Sequence, residues 1–412
     1  MNKCIVFLVC VLCFVRIGFG QQKDLNFYVD QALLNSPLLK DYKNQVETNK
    51  LDSQRIKATY LPQVNATSLN TYSPVIAGYG YDNAITNGAN VSALVGVNKT
   101  FVSKRNLNTQ FESLHLLNEG LKNTAQMSEQ DIKRTVVAQY IIAYGDLQQL
   151  NFNKEINKQL IKGENTLKAL TEKNVYRQTD YLTYVVTLQQ QELTIEQLEI
   201  QYQNDYATLN YVCGITDTTT LPVVEPYISL SNLPDTSSSV FFKQFTIDSL
   251  KLINSKTLVD FNYKPKINIF GDAGYNSSLS YQAYKNFGTS IGVSLTVPIY
   301  DGKQRNIQYS KIAIQERTRT NYKDFFKKQY SQQVAQLMQQ LGAVNRLLGQ
   351  INKQIKYSET LVNANGKLME TGDVRIADYI IAINNYLTAK NLLTQNNITR
   401  LQIINQINYW NR

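Results

Sequence analysis

Apolar residues recur with two different periods along this chain. Val334, Leu341, Leu348, Ile355, Val362 and Met369 are spaced by seven, and Leu337, Val344 and Ile351 stand four residues before Leu341, Leu348 and Ile355. Together they form the a/d seam of a coiled-coil helix. The segment from Asp180 to Val212 carries two such stripes. Tyr181, Leu188, Ile195, Tyr202 and Leu209 make one, and Val186, Leu193, Ile200 and Ala207 the other. A two-residue offset is about 200° around a helix, so the stripes lie on nearly opposite sides. A helix at the edge of a bundle needs one apolar face. Two opposed faces predict a neighbour on each side, as in the wall of a tube.

Elsewhere the period falls to two. Ile291, Val293, Leu295, Val297 and Ile299 alternate with Gly292, Ser294, Thr296 and Pro298. Ile267, Ile269, Gly271, Ala273 and Tyr275 alternate less cleanly with Asn268, Phe270, Asp272, Gly274 and Asn276, and Val91, Ala93, Val95 and Val97 with Asn90, Ser92, Leu94 and Gly96. Strand pairs follow at about 63–80 with 90–102 and about 266–277 with 287–300. No proline occurs between Leu107 and Val175 or between Lys303 and Met369. Each of these stretches reads as one helix of roughly 100 Å at 1.5 Å per residue.

The order of elements is written twice. Pro62 and Pro265 are 203 residues apart, Arg105-Asn106 and Arg305-Asn306 200, and Asp180-Tyr181 and Asp378-Tyr379 198. Asn210-Tyr211 and Asn408-Tyr409 are also 198 apart. That interval is too long for a solenoid unit and predicts duplication of a structural half. The resulting plan is a first repeat over 21–212, with long helices at about 105–175 and 180–212. A linker with Pro222, Pro226 and Pro234 follows at 213–240. A second repeat over 241–412 has long helices at about 303–370 and 375–410.

Composition narrows the class. Of 412 residues 43% are apolar and 18% charged, and the mean hydropathy is −0.31. No apolar run after residue 20 reaches the ~20 residues of a membrane helix, which excludes a polytopic helical transporter. Lys3, the apolar run Cys4–Val15 and Gly18-Phe19-Gly20 read as a signal peptide over 1–20. Its removal takes three of the four cysteines, leaving Cys213 and no intrachain disulfide. The net charge of +10 becomes +8, spread among acids, which is a solvated surface and not a nucleic-acid footprint. His115 is the one histidine and has no ligand at metal spacing. No nucleophile, metal or phosphate motif converges, so neither an enzyme nor a cofactor is expected.

Export gives the alternating strands a second meaning. An apolar face opposite a small or polar face, about ten residues long, is the pattern of a transmembrane β-barrel. It is also that of a soluble sheet with one wet face. Tyr72, Tyr79, Tyr81, Phe101, Tyr275, Tyr281, Tyr284, Phe287 and Tyr300 crowd the strand ends, as interfacial aromatics do. Four strands cannot close a barrel, and an open sheet edge is not tolerated in lipid. Strands that span a membrane here must therefore be shared between subunits.

These residues resemble those of TolC-type outer-membrane efflux proteins. Val297-Pro298-Ile299-Tyr300-Asp301-Gly302-Lys303-Gln304-Arg305 is similar to that family's strand-to-helix junction. Thr371-Gly372-Asp373 followed by Ala377-Asp378-Tyr379-Ile380 is similar to its second hairpin tip, and Ala32 to Pro62 to its N-terminal opening. The resemblance implies a mainly α fold with a membrane β-barrel portion. Each subunit would add four strands to a twelve-stranded barrel shared by a homotrimer, continued by a long coiled-coil α-helical tunnel. It implies a passive exit duct of tripartite efflux or type I secretion, in the bacterial outer membrane with a large periplasmic portion. The implied partners are outer-membrane lipid, a periplasmic adaptor and an inner-membrane pump of RND or ABC type. The first half departs from the pattern, with Lys99-Thr100-Phe101-Val102-Ser103-Lys104-Arg105 at its junction and Tyr176-Arg177-Gln178 where a tip often carries Gly.

Matching to that tip makes Asp378 the first candidate for a pore gate, with Asp180 and Thr179 in the repeated half. Threefold symmetry would make one Asp a ring of three, which attracts cations. Ile381 stands where the family has a second tip carboxylate. An Asp in the first turn also caps a helix and offsets its dipole, and both readings stay open. Tyr176, Arg177, Gly372, Asp373 and Arg375 are the candidates for adaptor docking or for the turns themselves. The alternative function is a periplasmic adaptor or coiled-coil scaffold.

Overall fold

The structure, a computed structural model, describes residues 23–81, 88–231, 239–279 and 282–411. The expected signal peptide and part of the linker, 232–238, lie outside them. Among the described residues, seven α-helices and four strands follow one another as α1 (Leu25–Asn35), α2 (Pro37–Thr59), β1 (Gln63–Tyr72), β2 (Ala89–Phe101), α3 (Lys104–Glu172) and α4 (Gln178–Val212), then α5 (Val240–Asn262), β3 (Lys266–Ser277), β4 (Phe287–Thr296), α6 (Gln304–Thr371) and α7 (Ile376–Trp410). The fold is mainly α with one antiparallel sheet. The two long helices have 69 and 68 residues, and the helix after each has 35.

Local chemistry starts these helices. Asp24 accepts the Phe27 N–H at 2.9 Å ahead of α1, and Ser36 accepts the Leu39 N–H ahead of α2, where Pro37 takes the first helical position. Ser103 caps α3 through the Asn106 N–H, and Asp301 accepts the Arg305 N–H at 2.7 Å ahead of α6. Ser103 thus does in the first half what the Asp301-Gly302 turn does in the second.

Two compact units divide the chain, and each sequence half contributes to both. One comprises the residues to Leu39, Met127–Asp235 and Lys328 onward; the other comprises Lys40–Gln126 and Thr236–Lys327. In the first unit the predicted seam of α6 is the packed one, since Leu337, Leu341, Leu348, Ile351, Ile355, Val362 and Met369 are buried. The two stripes of α4 part company. Leu188, Ile195, Tyr202 and Leu209 are buried, whereas Val186, at 64% exposure, Leu193 and Ile200 are bare. Tyr28, Tyr140 and Tyr206 fill one core cluster with Leu209 and Cys213, whose thiol is pushed up to about 12 by burial. The described part of the linker lies along this cluster: Tyr202 donates to the Leu221 carbonyl at 2.6 Å and Tyr140 to that of Val224 at 2.8 Å.

In the second unit Phe241, Phe242 and Phe245 of α5 surround Phe326 of α6, with ring centroids 5.3–6.5 Å apart. Arg305 and Tyr309 of α6 both bond Asp260 of α5. The sheet of this unit has the order β1-β2-β3-β4, antiparallel throughout. The registers Val64↔Val97, Val97↔Gly271 and Gly271↔Ile291 put facing residues on one side of the sheet. That side carries Val64, Val91, Val95, Ile267, Ile269, Ile291, Val293 and Leu295. The other carries Asn65, Thr67, Ser92, Asn98, Asn268, Asp272, Ser290 and Ser294. A Cβ at Gly292 would lie 2.4 Å from the Phe270 ring, which covers this glycine and would have to shift. No described residue covers the apolar side, where Ile291 is 86% exposed.

Two strands are shorter than the alternation predicts. β1 ends at Tyr72 and not near residue 80, because Pro74 supplies no N–H and Ala77-Gly78, both with positive φ, turn the chain between Ile76 and Tyr79. β4 ends at Thr296, two residues before Pro298, and not near residue 300.

Candidate functional site at the paired hairpin tips

Every gate and docking residue proposed from the sequence lies in the two short turns joining α3 to α4 and α6 to α7 or in the first turn of the helix that follows, within the first unit. Both turns are built alike. After α3, Asn174 adopts φ +60°, its N–H donating to the Thr171 carbonyl and that of Val175 to Leu170, each at 2.9 Å. After α6, Gly372 adopts φ +84°, its N–H donating to Met369 at 3.2 Å and that of Asp373 to Leu368 at 2.9 Å. These are Schellman caps, in which a left-handed residue lets the last turn satisfy its own carbonyls. The two left-handed positions are 198 residues apart, the interval of the Asp-Tyr repeat. Asn174 therefore fills the place of the expected glycine in the first tip. Its signal was present in the sequence, since Asn is the residue other than Gly that tolerates this backbone best.

Three residues further on, each turn starts the next helix. Arg177 is the N-cap of α4, and its N–H donates to Asp180 Oδ2 at 3.2 Å. Arg375 is the N-cap of α7, but here the guanidinium bonds the carboxylate: Nε to Asp378 Oδ2 at 2.8 Å and an Nη to Oδ1 at 3.2 Å. Equivalent carboxylates thus hold different groups. Asp180 caps backbone, and Asp378 forms a fork with its own N-cap side chain. The Thr179 side chain is exposed, and its carbonyl accepts from Thr183 at 2.8 Å. Asp373 is exposed in the second turn.

The tips are locked to each other. The Tyr176 hydroxyl of the first lies 3.0 Å from the Val374 carbonyl and 3.3 Å from that of Met369 in the second. Burial, followed by the charges of Asp373 and Asp180, raises the pKa of that phenol. Val175 packs so closely on Gly372 that a Cβ there would lie 2.6 Å from its Cγ1. Behind the turns Tyr184 stacks on Tyr379 with ring centroids 6.3 Å apart and donates to the Leu160 carbonyl at 3.1 Å. Gly163 gives that phenol room, since a Cβ there would stand 2.3 Å from its oxygen. Sequence reading singled out none of Tyr184, Gly163 or Val175.

Among the described residues no three His, Cys, Asp or Glu side chains are grouped to hold a metal ion, and no helix is long and apolar enough to cross a membrane. What the tips offer is a closed polar turn pair with charged Arg177, Asp373 and Arg375 at its surface.

No protein-family model matches the sequence, and no curated protein matches it significantly. Solved structures do match. A membrane protein from Pseudomonas aeruginosa superposes with a TM-score of 0.73 at 14% identity, covering 94% of this chain and 93% of that one. The outer membrane protein VceC of Vibrio cholerae gives 0.72 at 11%, covering 94% and 96%. The MtrE outer membrane channel of Neisseria gonorrhoeae, described in its open state, gives 0.72 at 12%, covering 94% and 88%. Over nearly its whole length, this chain has the fold of these membrane proteins.

Proposed function

We propose that this chain is one subunit of a homotrimeric outer-membrane channel, a passive exit duct that meets a periplasmic adaptor and an inner-membrane pump at its hairpin tips. One observation carries the reading: among the described residues, the sheet has an apolar face with nothing on it and two open edges, β1 and β4. In lipid each unpaired N–H and C=O on those edges would cost several kcal/mol. Pairing β4 of one copy with β1 of the next removes both edges, and closing the ring with a third copy gives twelve strands. Lipid then covers the apolar face, and the Asn, Ser and Thr face lines a water-filled lumen.

The helices support the same assembly. Leu182, Val186, Leu193 and Ile200 of α4 are exposed, as are Leu347, Leu361 and Leu368 of α6. The interval from Val186 to Ile200 equals that from Leu347 to Leu361, and the helices run in opposite senses, so α4 of one copy fits α6 of the next in heptad register. The repeat makes each subunit two similar staves of one tube. At the tip, three copies of Asp378 bring like charges together, each partly neutralised by Arg375. Asp378 is assigned to ion selection, with Asp180 and Thr179 supporting the first turn. Tyr176, Arg177, Gly372, Asp373 and Arg375 form the adaptor-facing surface. The neighbours' names place those proteins in the outer membrane, and the same location is proposed here.

Fractionation and unheated gel electrophoresis test the reading. The chain is expected in the outer-membrane fraction as a species that falls to monomer on heating. A monomer in the soluble periplasmic fraction would instead favour an adaptor or scaffold.

A further inference from the structure

The α3–α4 seam contains two polar layers of different chemistry. In one, Gln191 Nε2 donates to Asn153 Oδ1 at 2.9 Å, a neutral pair that satisfies itself at any pH. In the other, Asp146 of α3 is 5% exposed and faces Asp205 of α4. Gln201 Nε2 donates to its Oδ1 at 2.9 Å, while Oδ2 is buried with no hydrogen-bond partner. Asp205 takes the amide of Gln139 on its Oδ1 at 3.2 Å.

The donors nearby are committed. The Tyr202 proton goes to the Leu221 carbonyl and the Tyr140 proton to that of Val224. Among the described residues, the titratable groups that act on Asp146 are Asp205 and Tyr202, both on α4, with no Lys or Arg. A buried carboxylate oxygen without a donor is a large desolvation cost. Two carboxyl groups in contact relieve it by holding one proton between them.

We propose that Asp146 holds a proton across the α3–α4 seam, directed at the Asp205 carboxylate, and that its release to solvent loosens the hairpin, making this layer a pH-responsive latch. In the closed state Asp146 Oδ2–H donates to the Asp205 carboxylate. On deprotonation the proton leaves to water, and two adjacent negative charges remain in a seam otherwise built of Tyr140, Ala143, Leu150, Ile195, Leu198 and Tyr202. Burial first, and Asp205 second, raise the Asp146 pKa from 3.8 to about 7. The folded hairpin therefore binds the proton more tightly than the unfolded chain does. Its contribution to stability is complete below the ordinary carboxylate value and is lost as pH rises through about 7. Acid tightens this layer and alkali opens it, independently of any channel activity.

The test is infrared difference spectroscopy on the full chain purified in detergent, with carbon-13 in its aspartates, between about pH 6 and about pH 8.5. A protonated-carboxyl C=O stretch is expected at the lower pH, fading with a midpoint near 7. It should be absent from both Asp146→Asn and Asp205→Asn. Amide exchange of peptides spanning 139–150 and 198–209, corrected for intrinsic rates, should be faster at the higher pH in the native chain. In Asp146→Asn, whose amide donates permanently, it should be independent of pH. If Asp146→Asn does not fold, the native titration and Asp205→Asn decide. A stretch missing from the native chain at the lower pH, or kept in both variants, overturns the proposal. So does hairpin protection that appears only on addition of calcium, which would put a bridging cation in place of the proton.

Discussion

Replacing Gly372 by Ala tests whether the tips are held as described. At φ +84° an L side chain costs about 1–2 kcal/mol in backbone energy alone. The added methyl would also lie 2.6 Å from Val175 Cγ1. Overpacking of this kind costs about 1–3 kcal/mol, toward the lower end where the neighbour is half-exposed and can turn aside, as Val175 can. Taken together, about 2 kcal/mol should be lost, or a ~30-fold rise in the population of opened tip. The loss should be local, because the N–H groups of Gly372 and Asp373 close only the last turn of α6. Amide-exchange mass spectrometry on peptides spanning 365–380 reads it directly. Adding Val175→Ala removes the steric part and should restore roughly half of the protection, leaving the backbone part in place. Unchanged exchange in Gly372→Ala, or a double variant no better than the single one, would refute the turn geometry and the tip-to-tip contact respectively.

Four further outcomes follow from the same structure. Tyr176→Phe removes the hydroxyl that bonds the second tip and should raise exchange at Val374 and Arg375 by ~2–10-fold, for a net hydrogen bond of about 0.5–1.5 kcal/mol. Asp180→Ala should fray the first turn of α4 by about 1 kcal/mol, whereas Asp378→Asn, losing an exposed ion pair of small energetic weight, should keep the fold and shift cation selectivity in planar bilayers; equal currents would leave Asp378 only as the ion-pair partner of Arg375. Glu119, Asp260, Asp301 and Glu316, all in the sheet-bearing unit, have pKa values lowered chiefly by hydrogen bonds from Lys122, Tyr309, the Arg305 N–H and Arg319. Their contribution is present above the ordinary carboxylate range and is lost as pH falls through the lowered values, so exchange in 40–126 and 236–327 should rise on acidification while the Asp146 layer tightens.

Much of the fold was legible because the long helices and the strands are dictated by short-range rules. The heptad from Leu337 to Met369 names its buried face by spacing alone. The alternation from Ile291 to Leu295 names one side of the sheet, and register then carries that side across all four strands. The pattern could not say which of the two α4 stripes is covered within one chain, because Ile195 and Ile200 look alike until α3 and α7 are placed. Strand ends were overrun where alternation continued past Ser73-Pro74 into a turn set by Ala77-Gly78. At the tips, Asp180 and Asp378 were found by repetition. What distinguishes them, a backbone N–H for one and the Arg375 guanidinium for the other, depends on rotamers that spacing does not encode. Asp146 was invisible for the same reason. On a helix rich in Gln, Asn and Lys it reads as a surface acid, and only the approach of Asp205 from α4 buries it against a like charge.

The central claim is that this sheet is one third of a closed barrel, and cysteine cross-linking across the β1–β4 edges tests it most directly. With Cys213 replaced, single cysteines placed along β1 at Val64, Ala66 and Ser68 are each combined with one on β4 at Ile291, all four on the apolar side. Oxidation in intact cells should link one of these combinations into covalent dimers and trimers between copies, with no product of higher order. Monomers alone for every combination, from protein confirmed to be folded, would mean that β1 and β4 do not meet in the membrane and would contradict the shared barrel.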